Sequence, residues 1–279
     1  MAKDTRWLGT ISGLPTVAGN WDNGVPVAGD TIFFDTGAVD VTAQFGAAFL
    51  AAAIYSTDGY TGNIKMAAGA SGLLVNATLL YDRGGAGEHW FDGTFPTAMI
   101  DNSSTEDDAV HIDDSTAAGG ITVLNLFRGN MTLDAGITAT TIRVGYSGSK
   151  SSDANLTIEA GVSNTTICQW GGTVTDASTW VNLFLIDGEF TQTDSDAITL
   201  DQWGGTFNFD AVGHTLTLAY IFGGRFDATE DPNAKTITDM EMWPGSVVDL
   251  RNDTNSIAVT NGVQVMGGRL LVDSNTNLT

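Results

Sequence analysis

Residues 203–207 read Trp203-Gly-Gly-Thr-Phe207, and the pattern apolar–x–Gly–x–apolar recurs through the second half of the chain. Its other copies are Trp170-Gly-Gly-Thr-Val174, Ile186-Asp-Gly-Glu-Phe190, Phe222-Gly-Gly-Arg-Phe226, Trp243-Pro-Gly-Ser-Val247 and Met266-Gly-Gly-Arg-Leu270. The shared glycines are Gly172, Gly188, Gly205, Gly224, Gly245 and Gly268, with steps of 16, 17, 19, 21 and 23 residues. A repeat of about 20 residues marks a solenoid, in which each coil buries its apolar face only against its neighbours.

The segments flanking the glycines are short and rich in β formers. Val181-Asn-Leu-Phe-Leu-Ile186 and Leu216-Thr-Leu-Ala-Tyr-Ile221 precede them, and Thr206-Phe-Asn-Phe209 follows. Alternation with period two reads as a half-buried strand. Glycine at a corner permits positive φ without steric cost. The best helical candidate, Ala43 to Ala53, runs into strand-like Ile54-Tyr55. We therefore expect an all-β chain: a single-stranded, right-handed parallel β-helix of about ten coils. Stacking at about 4.8 Å per coil predicts a rod of roughly 45 Å.

Weaker copies at Gly62, Gly93 and Gly129 are spaced too widely for bare coils and imply inserted loops or a coil whose glycine is lost. The expected organisation is one continuous solenoid: an N-terminal cap and entry strand over 1–40, irregular coils over 41–120 and regular coils over 121–279. Trp7, Trp21 and the Pro26 turn suit a cover for the first open edge. The six aligned glycines are expected to stack along one corner. Trp170, Trp203, Phe222, Trp243 and Met266 occupy one repeat position; they are expected to point inward as a ladder, the alternative being an exposed strip of stacked aromatics that grips a sugar.

The formal charge is −22, from 11 basic and 33 acidic residues. So acidic a surface disfavours nucleic acid and anionic membranes as partners. The lone Cys168 reads as a small inward packing residue and allows no intramolecular disulfide. The start lacks the apolar core of a secretory signal, and no apolar run spans a membrane, so synthesis in the cytoplasm as a soluble chain is expected.

Candidate sites are few. Asp101-Asn-Ser-Ser-Thr-Glu-Asp-Asp108, continuing to His111, Asp113 and Asp114, is the densest cluster of oxygen ligands. Calcium favours such loops, but the EF-hand glycine is missing, so the stretch reads first as a solvated acidic loop and its metal binding is left open. Asp187, Asp201, Asp227 and Asp249 lie near one corner of successive coils and could form an acidic row for glycoside hydrolysis. Exposed polar corners give the same row without chemistry. His89 and His214 have no serine or cysteine at a recognisable spacing, and His111 reads as a surface ion pair. The sequons at Asn130, Asn155 and Asn164 carry little weight without a leader. No catalytic residue and no cofactor is expected.

The entry run Trp7-x-Gly-Thr10 and Gly19-Asn-Trp-x-x-Gly-Val-Pro-x-x-Gly-Asp30 resembles the opening of many bacterial and phage β-helix proteins. Leu124-Asn-Leu-Phe-Arg-Gly129, Thr141-Ile-Arg-Val-Gly-Tyr146 and Gln169-Trp-Gly-Gly-Thr-Val174 are similar to uncharacterised β-solenoid proteins of tailed phages and prophages. The resemblance implies a non-enzymatic virion component: a capsid decoration, or cement, protein on the capsid exterior. Its partner would be the major capsid protein, and it would be a homo-oligomer for which a trimer is a reasonable guess. The alternative is a carbohydrate-binding or carbohydrate-degrading β-helix of tailspike type.

Overall fold

The computed structural model describes residues 2–45, 49–65, 73–85, 87–102, 110–113, 120–146, 153–211, 213–229, 234–252 and 256–278. Contacts divide the chain into two compact units, Met1–Thr140 with Asp153–Leu156, and Thr141–Ser152 with Thr157–Thr279. Both are built of parallel strands, and the chain is an all-β solenoid of about 10 turns. Among the described residues the only helical segment is one 3-10 turn, Ala18–Asn20. The end of the alanine-rich candidate, from residue 50, is in a strand, Leu50–Ser56, while residues 46–48 lie outside the described residues.

In the first unit, Asp4–Arg6, Thr31–Phe34, Leu50–Ser56, Asn76–Asp82 and Thr97–Asp101 stack in register. Trp7 and Trp21 are buried, edge to face at 5.0 Å, and both rings lie against Phe34. Their indole N–H groups donate to the carbonyls of Val39 and Pro15, so two large residues are buried with no polar atom orphaned. The long strand Gly120–Leu133 serves both faces of a coil. Its first half pairs with Thr97–Asp101 and its second with Val110–Asp113, with a register shift between Ile100 and Asp101.

In the second unit each coil gives one strand to each of two sheets. Ser163–Gln169, Thr179–Leu185, Ala197–Gln202, Thr215–Ile221 and Lys235–Met242 form the longer-stranded sheet. Thr173–Asp176, Glu189–Gln192, Thr206–Phe209, Gly224–Asp227, Ser246–Asp249 and Arg269–Leu271 form the other. Period-two alternation places Val174, Phe190, Phe207, Phe226 and Val248 in one buried row. Phe207 stacks on Phe190 at 5.7 Å and on Phe226 at 5.4 Å.

The glycine corner forms as the repeat predicts, with one slip. Gly172, Gly188, Gly205, Gly224 and Gly268 share a register position, but Ser246 rather than Gly245 fills it in the fifth coil. Trp243-Pro-Gly-Ser-Val247 carries one residue more between its outward and inward apolar positions than Phe222-Gly-Gly-Arg-Phe226 does, once both are paired with their neighbours. The corner needs glycine for space as well as torsion. Gly205 has φ +66°, and a Cβ there would lie 2.4 Å from the Gly188 carbonyl oxygen. Gly205→Ala is expected to cost more than about 2 kcal/mol in urea unfolding, the αL penalty plus a backbone displacement. Gly213, with φ +71° but nothing within 4 Å, is the control. Gly213→Ala should cost only about 1 kcal/mol.

Candidate functional site

The expected inward ladder of Trp170, Trp203, Phe222, Trp243 and Met266 is on the outside. The repeat position itself is right. Pairing of Gln169 with Leu185, Leu185 with Gln202, Gln202 with Ile221, and Ile221 with Met242 aligns Trp170, Ile186, Trp203, Phe222 and Trp243 in the next position. Its direction is reversed because the residue before each is the buried one. Gln169 and Gln202 turn inward, and their side-chain amides donate to corner carbonyls, Gln169 to Gly172 and Glu189, Gln202 to Gly205 and Arg225. In Gln-Trp-Gly-Gly the glutamine staples the corner from inside, and alternation sends the tryptophan out. Trp203 is 59 % exposed and Met266 54 %.

The outward rings are organised. Trp203 and Phe222 stack at 4.3 Å, and Phe222 and Trp243 lie 4.4 Å apart with planes inclined by 30°. Two positions back along the same strands, Asp201, Tyr220 and Glu241 form a parallel outward row beginning with Cys168 and Phe184. Cys168 is therefore not an inward packing residue. It faces outward at partial burial, and burial pushes its thiol pKa up. Burial also raises the pKa of Asp201.

The proposed row of Asp187, Asp201, Asp227 and Asp249 does not form. Asp187 caps its own turn by accepting from the Gly188 N–H, and Asp201 is on the outer face of the longer-stranded sheet. Only Asp227 and Asp249 are neighbours, opposite each other on adjacent strands. Counting from each motif glycine explains the scatter: Asp187 is one residue before it, Asp201 four before, Asp227 three after and Asp249 four after. Arg225 donates through Nε to Asp227 at 2.8 Å and through Nη2 to Asp249 at 3.1 Å, and Arg251 Nε reaches Asp249 at 2.8 Å. Burial works to raise the Asp227 pKa, but hydrogen bonds from Thr229 and Arg225 outweigh it and the value is lowered. Arg251 likewise lowers that of Asp249. Two carboxylates held ionised and saturated by guanidinium groups suit an ionic staple, and a general acid needs the opposite shift.

His89 has partners that its sequence spacing hides. Ser56 pairs with Asp82 across adjacent strands, and His89 Nδ1 meets both Asp82 Oδ2 and, at 3.4 Å, Ser56 Oγ. A nucleophilic relay needs the hydroxyl and the carboxylate on opposite ring nitrogens. Here both address Nδ1, Nε2 is buried without a partner, and all three side chains are fully buried. Asn102 and the Gly84 N–H also donate to Asp82. The constellation is a buried polar staple and cannot perform acyl transfer.

Of the acidic stretch, Asp101, Asn102, His111 and Asp113 are described; residues 103–109 and Asp114 lie outside the described residues. Asp101 pairs with Arg128 at 3.0 Å, and His111 stacks on Trp90 at 3.9 Å with Nδ1 3.2 Å from Asp134. No group of three or more His, Cys, Asp or Glu suited to a metal occurs among the described residues. His214 lies between Asp194 and Asp196, at 3.5 and 3.3 Å. Of the sequons, Asn164 is buried and donates to Ser178, while Asn155 donates to Asn130 on the surface.

The outer aromatic row with its neighbouring carboxylates is thus a surface feature that the fold builds repeatedly and does not use in its own core; the first unit carries a shorter outward row, Phe33, Tyr55 and Tyr81. No family model, no curated protein and no solved structure matches the chain.

Proposed function

We propose that the protein is a non-enzymatic structural component of a tailed-phage virion, a decoration protein that binds the outer surface of the major capsid protein as a homo-oligomer. The observation that carries the reading is the outward row Trp203, Phe222 and Trp243 on a stack of parallel strands. Large rings left outside a sheet that could have carried threonine mark an interaction surface. The parallel stack holds them at fixed spacing, which suits a rigid and periodic partner. The entry-motif resemblance supplies the virion context, and the charge of −22 supports a place away from packaged DNA.

The ring geometry favours a protein partner over a sugar. Sugars stack on exposed ring faces, whereas Phe222 has an aromatic neighbour at 4.3 Å on one side and at 4.4 Å on the other. The centre of the row, Phe222, therefore has both ring faces taken by aromatic neighbours. Asp201 and Glu241 are two strand spacings apart, about 9.6 Å, but Tyr220 stands between them where a water and a sugar ring would sit. The glycan reading retains one specific support. Tyr146, 56 % exposed, meets Trp170 at 4.8 Å with planes inclined by 57°, so the two rings are not stacked face to face.

The test uses particles of the phage whose genome encodes the chain. The protein is expected on the heads, and heads lacking it should rebind the purified protein and gain heat resistance. Location at tail fibres, or release of oligosaccharides from host polysaccharide by the purified protein, would replace this reading with the tailspike one.

A further inference from the structure

The outer face of the longer-stranded sheet extends the aromatic row into a patch. Val181, Phe184, Ile198, Leu218 and Tyr220 lie on it beside Trp203, Phe222 and Trp243, and Ile198 is 43 % exposed. Four strands and the positions they place outward cover about 14 Å by 17 Å, from strand spacing and rise per residue. On the four strands that carry this patch the charge has one sign, and the neighbouring cation, Arg143, acts on Cys168 at the start of the row. Asp201, Asp239 and Glu241 project from the patch, while the only Lys or Arg on the strands Thr179–Leu185, Ala197–Gln202, Thr215–Ile221 and Lys235–Met242 is Lys235. Lys235 is buried, and its ammonium donates to the Ala228 carbonyl.

We infer that this face docks a protein surface that combines apolar side chains with arginine or lysine, the cations pairing with Asp201 and Glu241 while the apolar groups cover the rings. Three other occupants fit less well. A second copy through the same face would bring three further carboxylates against these three, and directly opposed like charges are destabilising. Nucleic acid phosphates meet the same repulsion. A glycan would find both faces of Phe222, at the centre of the row, already stacked. A guanidinium fits best, because its planar fork can pair with a carboxylate while its face lies on an aromatic ring. Partial burial of Asp201 supports this, since a carboxylate already short of water gains more from a cation. The inference depends on the capsid reading only for the identity of the partner, not for the chemistry of the face.

Two probes separate these levels. The first is a synthetic peptide of alternating arginine and leucine, with a glutamate–leucine analogue as control. The second is phage heads that lack the protein. Titrations followed by tryptophan fluorescence would compare the wild type with Trp203→Ala/Phe222→Ala, with Asp201→Asn/Glu241→Gln, and with Thr173→Ala/Thr206→Ala on the other sheet. The arginine peptide is expected to bind the wild type and the other-sheet variant alike. It should bind the aromatic variant at least ten-fold more weakly. The carboxylate variant should lose about ten-fold and most of its salt dependence. The glutamate peptide should not bind. The neutral carboxylate variant changes no apolar contact, so it stays informative if the aromatic variant is poorly folded. Peptide binding insensitive to both face variants, or no peptide binding, overturns the inference. So does concentration-dependent self-association lost on Trp203→Ala, which would identify a second copy as the occupant. Heads that bind all variants equally keep the capsid reading and remove this face from it. Heads that bind nothing, with the peptide behaving as expected, remove the capsid reading and keep the face.

Discussion

Phe207→Ala is expected to lower the free energy of unfolding by about 3–5 kcal/mol in urea titrations, the usual loss for emptying a large aromatic core site. Trp203→Ala, four residues earlier in the same motif, should cost less than about 1 kcal/mol, as surface substitutions generally do. Phe207 is fully buried between Phe190 and Phe226 and also has the edge of Trp180 at 6.4 Å. Its removal opens a gap that coils above and below cannot close, because their spacing is fixed by the ladder of backbone hydrogen bonds. Trp203 loses only one ring-on-ring contact, to Phe222. A result in which Trp203→Ala destabilises as much as Phe207→Ala would mean that the outer row is part of what holds the coils in register, and would weaken the case for it as an interaction surface.

That contrast locates what was legible in the sequence. The glycine alignment gave the repeat, the parallel stacking and the corner, because positive φ and lack of space leave few other residues acceptable there. It also placed Trp170, Trp203, Phe222, Trp243 and Met266 in one row. It did not give the direction of the row, since hydrophobicity alone assigns tryptophan to the core. The deciding signal was the residue before it. A glutamine between apolar strand residues and a Gly-Gly corner is a side chain that can satisfy the corner carbonyls from inside, and period two then sends its neighbour out. Pro244 shows the limit of glycine spacing as a guide: one added residue moves Gly245 out of the stack while Trp243 stays in its row.

The candidate sites were less legible, because they depend on which coil meets which. Ser56, Asp82 and His89 span three strands and become neighbours only through register. Asp227 and Asp249 could be paired from the repeat, but the two arginines that saturate them could not. An acidic corner on a sequence therefore does not distinguish a catalytic carboxylate from one neutralised in place.

Asp176 carries no marker in the sequence, yet it should dominate the pH dependence of stability above pH 4. It ends the strand Thr173–Asp176 facing inward, fully buried, and pairs in register with Gln192. Its Oδ1 accepts from the Ser178 N–H at 2.7 Å and from the Ser178 hydroxyl at 2.6 Å, while Oδ2 is buried with no partner. The side chains hydrogen-bonded around Ser178 and Gln192 are Asn164, Trp180 and Ser195, and none is charged. Burial raises the Asp176 pKa from 3.8 to about 7, against the smaller opposing effect of the Ser178 hydrogen bonds. The folded state therefore holds a proton that the unfolded chain has released. Below pH 3.8 both states are protonated and nothing is lost; as pH rises from there to about 7 stability falls, and above that the full penalty applies. Its upper size is about 4 kcal/mol, at 1.36 kcal/mol per pKa unit. The lowered pKa values of Asp227, Asp249 and Asp273 act in the opposite sense, but their stabilisation is lost only as pH falls below the usual carboxylate range. Asp176→Asn keeps an oxygen for Ser178 and places an uncharged amide where the protonated oxygen would be. The variant should match the wild type near pH 4 and exceed it by about 2–4 kcal/mol at pH 8. Urea unfolding of the two proteins at pH 4, 6 and 8 tests this. Parallel stability curves across that range would show that Asp176 is ionised in the folded protein and that its second oxygen has a partner.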